Sequence, residues 1–499
     1  EVSGVISDCG PTGTECAVSG ATGGSLVKTG TGSFTLSGAN TYTGPTTVDQ
    51  GKLVVNGSIL SDVTVDDGGT LGGTGQVGAV SVFNRGVYAP GNSIGAQTVN
   101  GNFTLNKGDI YEVEANANGQ SDKVIVLGAV DLTGATLRVM EASGAYKPKT
   151  NYVIIDNDGT DAVQGKFAKV SNDLAFLVPN VDYAAGTGND VVLTLERKGN
   201  LFSSVAATGN QKAVATAVEK APTDNDLFLS VLNQTIPGAR QAFNALSGEV
   251  HATVAGTLAD DSRYVREAVL GRLMQANHAG EALSAGGAQV ASLDGQAYTL
   301  GYDGKSLIDE PERAPLAFWT RAFGAWGDFD TDGNAASADR DLGGFISGMD
   351  ADIGSGWRAG LATGASFSNV SVDDRYSAAD VETYHLGGYI GGMAGGFALR
   401  GGGMWSWNDI DTSRAVVFPG FYERQKASYD ADTGQLFGEI AYPTQMGGIA
   451  LEPFGGLAFV SVETDNFREN GGPQASLRGR NLDQDVGFTT LGLRAATTM

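Results

Sequence analysis

Histidine is almost missing from this chain. Its 499 residues hold three, His251, His278 and His385, so residues 1–250 have none. A Ser-His-Asp triad is therefore excluded from the N-terminal half. Cysteine is as scarce. Cys9 and Cys16 are spaced to close one small loop in an oxidising compartment, with free thiols or an incomplete metal site as alternatives. No run of about 18 apolar residues occurs, so no membrane-crossing helix is expected. Glu1 is not preceded by the basic and apolar regions of a signal peptide, which fits a processed N-terminus or a fragment. Positive charge is short too: 32 Lys and Arg against 56 Asp and Glu, a formal net charge of -24. That argues against nucleic acid or anionic lipid as the main electrostatic partner.

Glycine is abundant, 74 of the 499 residues, about twice ordinary usage and without a collagen period. Residues 1 to about 196 carry short apolar alternations separated by Gly, Asn and Asp. Examples are Phe34-Thr35-Leu36, Leu53-Val54-Val55, Val63-Thr64-Val65, Val80-Ser81-Val82 and Phe103-Thr104-Leu105. Strands this short, without helices between them, predict a β-solenoid, with a sandwich as the alternative. From Asp109 the runs lengthen, as in Lys123–Leu127, Ala135–Val139, Asn151–Ile155 and Asp190–Leu195, and predict a better packed cap. Residues 197 to about 280 switch to helical spacing and predict two or three helices. Gly280–Gly304 is small and polar, read as linker or irregular pore segment.

The last part alternates again in longer segments: 317–330, 341–354, 357–373, 380–394, 397–412, 429–443, 448–464 and 485–498. Short connections alternate with long polar ones, 413–428 among them, which is the pattern of an outer-membrane β-barrel. The charged parity should face the lumen, because charge in lipid costs a few kcal/mol at mid-membrane. That places Arg321, His385, Arg400, Glu439 and Glu452 inside, and Trp405, Trp407, Leu451, Leu457 and Phe459 against lipid. Trp319 and Trp326, with Trp405 and Trp407, read as interface girdle residues. Asp409 and Ile410 break the alternation, where the strand is expected to leave the membrane. A soluble antiparallel sheet is the alternative.

Two stretches resemble autotransporters, the type V secretion family. Leu36-Ser37-Gly38-Ala39-Asn40-Thr41-Tyr42-Thr43-Gly44, with Gly69-Thr70-Leu71-Gly72-Gly73-Thr74-Gly75 and Ala89-Pro90-Gly91-Asn92-Ser93, resembles the passenger-associated repeat. Phe318-Trp319-Thr320-Arg321-Ala322-Phe323-Gly324 through Leu451-Glu452-Pro453-Phe454-Gly455 resembles the translocator barrel. Ala245–His251 and Asp261–Arg266 resemble the helical region before it. The resemblance implies an all-β dominated chain: a right-handed parallel β-helix passenger at 1–108, a cap like an autochaperone at 109–196, a helical linker and pore segment at 197–316, and an antiparallel transmembrane barrel at 317–499. It implies a helix in the pore, and a folding core in the cap that would include Val124, Val126, Leu137 and Val153. Implied partners are outer-membrane lipid, the barrel assembly machinery, periplasmic chaperones and an unidentified surface ligand. Family barrels have twelve strands. Eight strands alone leave an interior filled by side chains, too small for a helix, so the barrel is expected to be incomplete at Met499.

Chemical motifs in the passenger are weak. Gly91-Asn92-Ser93-Ile94-Gly95 matches a nucleophile elbow without a following helix. Gly73–Gly78 matches a dinucleotide fingerprint, again without its helix. Asp156–Asp161 begins like a Ca²⁺ loop, but Phe167 occupies the position of the bidentate acid. Glu112 and Glu114 share a strand face, as the carboxylates of a β-helix glycan hydrolase would. The reading is a non-enzymatic passenger without cofactor, adhesive or structural, displayed at the surface of a Gram-negative cell. A glycan-active passenger and a general porin are the alternatives.

Overall fold

The computed structural model describes residues 1–8, 22–159, 161–199, 201–277, 316–446 and 449–497. Cys9, Cys16, His278 and the segment Gly280–Gly304 lie outside these. The chain forms two compact units. The first holds 1–207 and 211–243, the second 208–210 and 244–499.

In the first unit the chain passes repeatedly through three sheets whose neighbouring strands are parallel except at the C-terminal end of one. This is a β-helix, and register explains its core. Phe34, Leu53, Leu71, Tyr88, Tyr111, Leu137 and Val170 pair in succession along one sheet. Leu53, Leu71, Tyr88, Tyr111 and Leu137 are fully buried. Each such side chain contributes roughly 1.5–3 kcal/mol, and none of the coils could bury its apolar face alone. Glycine serves the corners. A Cβ on Gly57 would lie 2.1 Å from the Gly38 carbonyl oxygen, and one on Gly75 2.0 Å from that of Gly57. Adjacent coils touch backbone to backbone there.

Asp122 staples two coils. Its carboxylate accepts from Gly95 N at 2.8 Å and Glu114 N at 2.9 Å. Burial pushes its pKa up to about 6, against the pull of those two backbone donors. The end of the solenoid is closed where Lys149–Asn157, still parallel to Lys123–Val126, pairs antiparallel with Asp190–Glu196, which pairs with Val178–Ala185. Val124, Val126 and Leu137 are buried in this region. Val153 is not: it is 42 % exposed, while Tyr152, Ile154 and Ile155 are inside. A register shift between Val153 and Ile155 turns two successive isoleucines inward and leaves Val153 on the outer face.

Among the described residues the α-helices are α1 Gly209–Val218, α2 Asp226–Leu232, α3 Ile236–Leu246 and α4 Glu249–Asn277. Asn225 caps α2, its side-chain oxygen accepting from Leu227 N and Phe228 N. Gly248, at φ 65°, supplies the left-handed turn between α3 and α4. At 29 residues, α4 is about 43 Å long. It carries Asp260, Asp261, Arg263, Arg266 and Arg272, and no described helix is long and apolar enough to cross a membrane.

The second unit is a wall of eight long antiparallel strands: β1 Leu316–Phe329, β2 Ala338–Gly354, β3 Trp357–Val372, β4 Ser377–Ala394, β5 Phe397–Phe418, β6 Phe421–Ala441, β7 Ile449–Thr464 and β8 Leu482–Thr497. Each pairs with the next. Among the described residues β1 and β8 do not pair, so the wall curls without closing. That openness is why eight strands accommodate a helix, against the expectation from a closed eight-strand barrel. The expected polar loop at 413–428 is strand. β5 and β6 run on to a tight turn at Pro419–Gly420, with Phe418 paired to Phe421. Alternation also continues through Asp409 and Ile410, with Asp409 outside and Ile410 inside. The 22 residues of β5 extend about 73 Å, far more than a membrane crossing needs, so the hairpin projects beyond it.

Candidate functional site: the filled lumen

Helix α4 lies inside the curled wall, touching it from β1 to β8. Its orientation follows from its ends. The Glu249 carboxylate accepts from Ala336 N at 3.0 Å and Arg375 Nε at 3.1 Å, residues of the long β1–β2 and β3–β4 connections. Near the other end, Arg272 donates to both oxygens of Asp350 at 2.7 and 3.0 Å, beside the short β2–β3 turn. The helix therefore runs from the long-loop mouth to the short-turn mouth.

Between these ends the lumen is layered. Near the long-loop mouth Val250, Val254, Leu258 and Ala259 pack on Val370, Val372, Val381, Ile410, Val460 and Val462. A polar layer follows. Arg340 donates to Asp260 at 2.8 Å and Asp261 at 2.7 Å. Gln435 Nε2 donates to Ser262 O at 3.1 Å. His385 has its ring nitrogens 3.0 Å from Ser366 Oγ and 2.8 Å from Ser406 Oγ. Then Val265, Ala268, Val269 and Leu273 meet Trp319, Ile346, Ala362, Met404 and Phe437. The last layer is ionic. Asp350 also accepts from Arg358 Nε at 2.5 Å and Tyr389 Oη at 3.1 Å. Between α4 and strands β2 to β6 lies a cavity of about 20 Å³, room for about one water. The arrangement plugs a pore. Within it, His385 sits between the hydroxyls of Ser366 and Ser406.

His385, Arg400, Glu439 and Glu452 are buried, and Arg321 is half-buried. Arg400, Glu439 and Glu452 come together from three strands: Arg400 Nη1 lies 2.6 Å from Glu439 Oε1, and its two terminal nitrogens reach Glu452 at 3.0 and 2.9 Å. Sequence reasoning missed the fourth member, Arg494, which donates to Glu439 and Glu452 at 2.5 to 3.0 Å. The alternation of Leu491, Leu493 and Arg494 was the available signal. Two cations and two carboxylates on adjacent strands balance, so none is left buried alone. Arg321 reaches the Glu267 carbonyl of α4 at 3.3 Å. Arg272 with Asp350, and Arg340 with Asp260 and Asp261, were also missed, because only the fold sets each pair together.

Outside, Trp405, Trp407, Leu457 and Phe459 are exposed, and Leu451, half-buried, shares their parity. Trp319 corrects the girdle reading. It points inward, 4 % exposed, with Nε1 donating to Tyr389 Oη at 2.5 Å. Just beyond Trp405 and Trp407 the outer face turns acidic, with Asp380 paired to Asp411, Glu382 to Asp409, Asp409 to Asp430 and Glu463 to Asp483. Carboxylates facing outward cannot lie in hydrocarbon, so the lipid-covered band ends at the tryptophans.

In the first unit the weighed motifs have ordinary roles. Glu112 pairs with Arg138 at 3.0 Å, and Asp156 with Lys123 at 2.8 Å. Gly91–Gly95 is a turn held by Asp122.

A curled antiparallel wall with an apolar outer band and the preceding helix inside it is the architecture of an outer-membrane translocator. Residues 318–499 match the autotransporter β-domain family, and 26–55 match the passenger-associated transport repeat. The chain carries an autotransporter β-domain. It is 33 % identical over 528 aligned residues to an extracellular serine protease of Serratia marcescens, covering 95 % of this chain and 47 % of that protein. A second extracellular serine protease of that organism is 30 % identical with the same coverages. The adhesin BmaC autotransporter of Brucella suis biovar 1 is 45 % identical over 78 residues, 15 % of this chain and 2 % of the adhesin. The chain thus spans about half the length of the two proteases. Their similarity along nearly all of it overturns the reading of a non-enzymatic passenger. That reading rested on the lack of histidine in 1–250, and composition within these residues says nothing of chemistry housed elsewhere in a relative twice as long.

Proposed function

We propose that this chain is the export and display apparatus of a surface serine protease. The observation that carries the reading is the continuous similarity to the two Serratia proteases, through β-helix, helices and wall alike. Within it, residues 1–196 act as a stalk. Lacking histidine, they hold no Ser-His-Asp centre, so the peptidase centre belongs to another part of the protein. The cap at 109–196 is the folding nucleus that draws the stalk outward, with Val124, Val126 and Leu137 in its core. Coil-by-coil stacking onto such a nucleus releases free energy outside the cell, and needs no nucleotide.

The test is to express the parent gene and the 499-residue chain separately in a Gram-negative host. Both should present the stalk to protease added to intact cells. Only the parent should hydrolyse casein, in a manner blocked by a serine-directed inhibitor. Inhibitor-sensitive hydrolysis by the 499-residue chain, or none by the parent, would refute the proposal.

A further inference from the structure

Between β7 and β8 the chain forms a built loop, 465–481. Phe467–Arg468 pairs with Arg478–Gly479, and Asn470–Gly471 adds to the outer part of β6. Its inner side meets the elbow between α3 and α4. The Glu469 side chain, 2 % exposed, gathers four donors: Arg414 Nε at 2.9 Å, Arg414 Nη2 at 2.6 Å, Leu477 N at 2.8 Å and His251 Nε2 at 3.0 Å. A carboxylate only accepts, so His251 donates through Nε2, and its Nδ1 faces Tyr429 Oη at 3.1 Å. Phe467 stacks on the His251 ring at 4.0 Å and on Tyr429 at 4.7 Å. Leu477 packs so close to Gly248 that a Cβ there would lie 2.3 Å from its Cδ1. Arg414 Nη1 donates in addition to Ala245 O at 2.9 Å, among the carbonyls left free at the end of α3.

Ala245, Gly248 and His251 reach the long-loop mouth only when α4 fills the lumen. While an earlier part of the chain occupies the pore, Glu469 and Arg414 can pair with each other but not with the elbow. We infer that loop 465–481 is a latch that closes on the α3–α4 elbow after the passenger has crossed, and then holds the mouth end of α4 in the pore. The inference rests on the display reading, in which the chain ahead of α4 is exported. The short-turn end of the helix is held separately, by Arg272 on Asp350.

The test uses the full chain with Glu469→Gln, Leu477→Ala and, as a control on the same loop, the exposed Arg480→Ala. Barrel assembly is checked by heat-modifiable gel mobility. The arrival of the stalk at the surface is timed by pulse-chase protease accessibility on intact cells. Amide hydrogen exchange is then measured on the purified chain. Glu469→Gln and Leu477→Ala should assemble and deliver the stalk with a half-time within twofold of wild type. They should exchange the amides of Glu249–Leu258 at least tenfold faster, leaving the turn around Arg272 and the Arg480→Ala protein unchanged. Unchanged exchange in an assembled variant overturns the latch. Slowed delivery overturns its closing last, and failure of both variants to assemble makes the loop part of the wall instead. A wild-type stalk inaccessible on intact cells would be a failure of the display reading itself.

Discussion

The β-helix and the wall use the same alternating strand but fill their interiors differently. In the β-helix, Leu53, Leu71, Tyr88 and Leu137 point in, while Lys52, Thr70 and Thr136 point out. At membrane height the wall puts Arg400, Glu439, His385 and Asn408 in, and Trp405, Leu436 and Leu457 out. Above the tryptophans it reverts to the stem's rule, with Ile410 and Val462 inside and Asp409 and Glu463 outside. Solvent on the outer face decides the sign each time. Water outside makes the interior apolar, whereas lipid outside lets polar groups that satisfy one another share the lumen with an apolar layer around α4.

The largest test of that contrast is Arg400→Ala. It removes one of the two guanidiniums that bridge Glu439 and Glu452, and should cost about 3–5 kcal/mol, read as a fall in the denaturant midpoint of the folded barrel. Leu137→Ala in the stem should cost roughly 2–5 kcal/mol, seen as lost protease resistance of the displayed stalk with the barrel assembled. Its counterpart Val153→Ala, on the outer face, should change it by no more than about 0.5 kcal/mol. Leu457→Arg should destabilise by about 2–4 kcal/mol if it lies near mid-membrane, and Ser413→Arg, above the tryptophans, by about 0–1. Membrane-insertion yield and unfolding midpoint check both.

The smallest effect concerns pH. The Asp122 pKa is raised from 3.8 to about 6 in the folded stem. The folded state therefore binds the extra proton between those values, and stem stability should rise as pH falls from 7 towards 4. Asp122→Asn should flatten that slope. Urea midpoints of stalk protease resistance at pH 7 and 5 measure it. Glu469 has the opposite sign. Burial pushes its carboxyl up, but Arg414 and His251 outweigh it and hold the pKa at about 2. The latch should keep its stability above about pH 4.5 and lose it as pH falls towards 2.

Parity was readable wherever polar and apolar residues alternate strictly. Arg400 beside Leu399, and Glu452 beside Leu451, announced their faces. It was unreadable in Asn151-Tyr152-Val153-Ile154-Ile155, where an apolar run offers no phase and a bulge shifts it. Trp319 misled because an aromatic residue suits an interface or a packed lumen equally well. The hairpin at 413–428 looked like a loop because its outward face is polar. Ser413 and Lys426 are what a strand above the membrane presents to water.

By itself the sequence determined the two periodic regimes, the helical stretch between them, the exclusion of a histidine triad from the stem, and the face of each strongly alternating residue. These are local properties, set by a side-chain period of two or 3.6. Which distant groups meet was decided only by tertiary structure. Arg272 finds Asp350, Arg340 finds Asp260 and Asp261, and Glu469 finds His251 because the wall curls around α4. A lone buried charge is intolerable. The fold, with no trace in local pattern, is what supplies its partner.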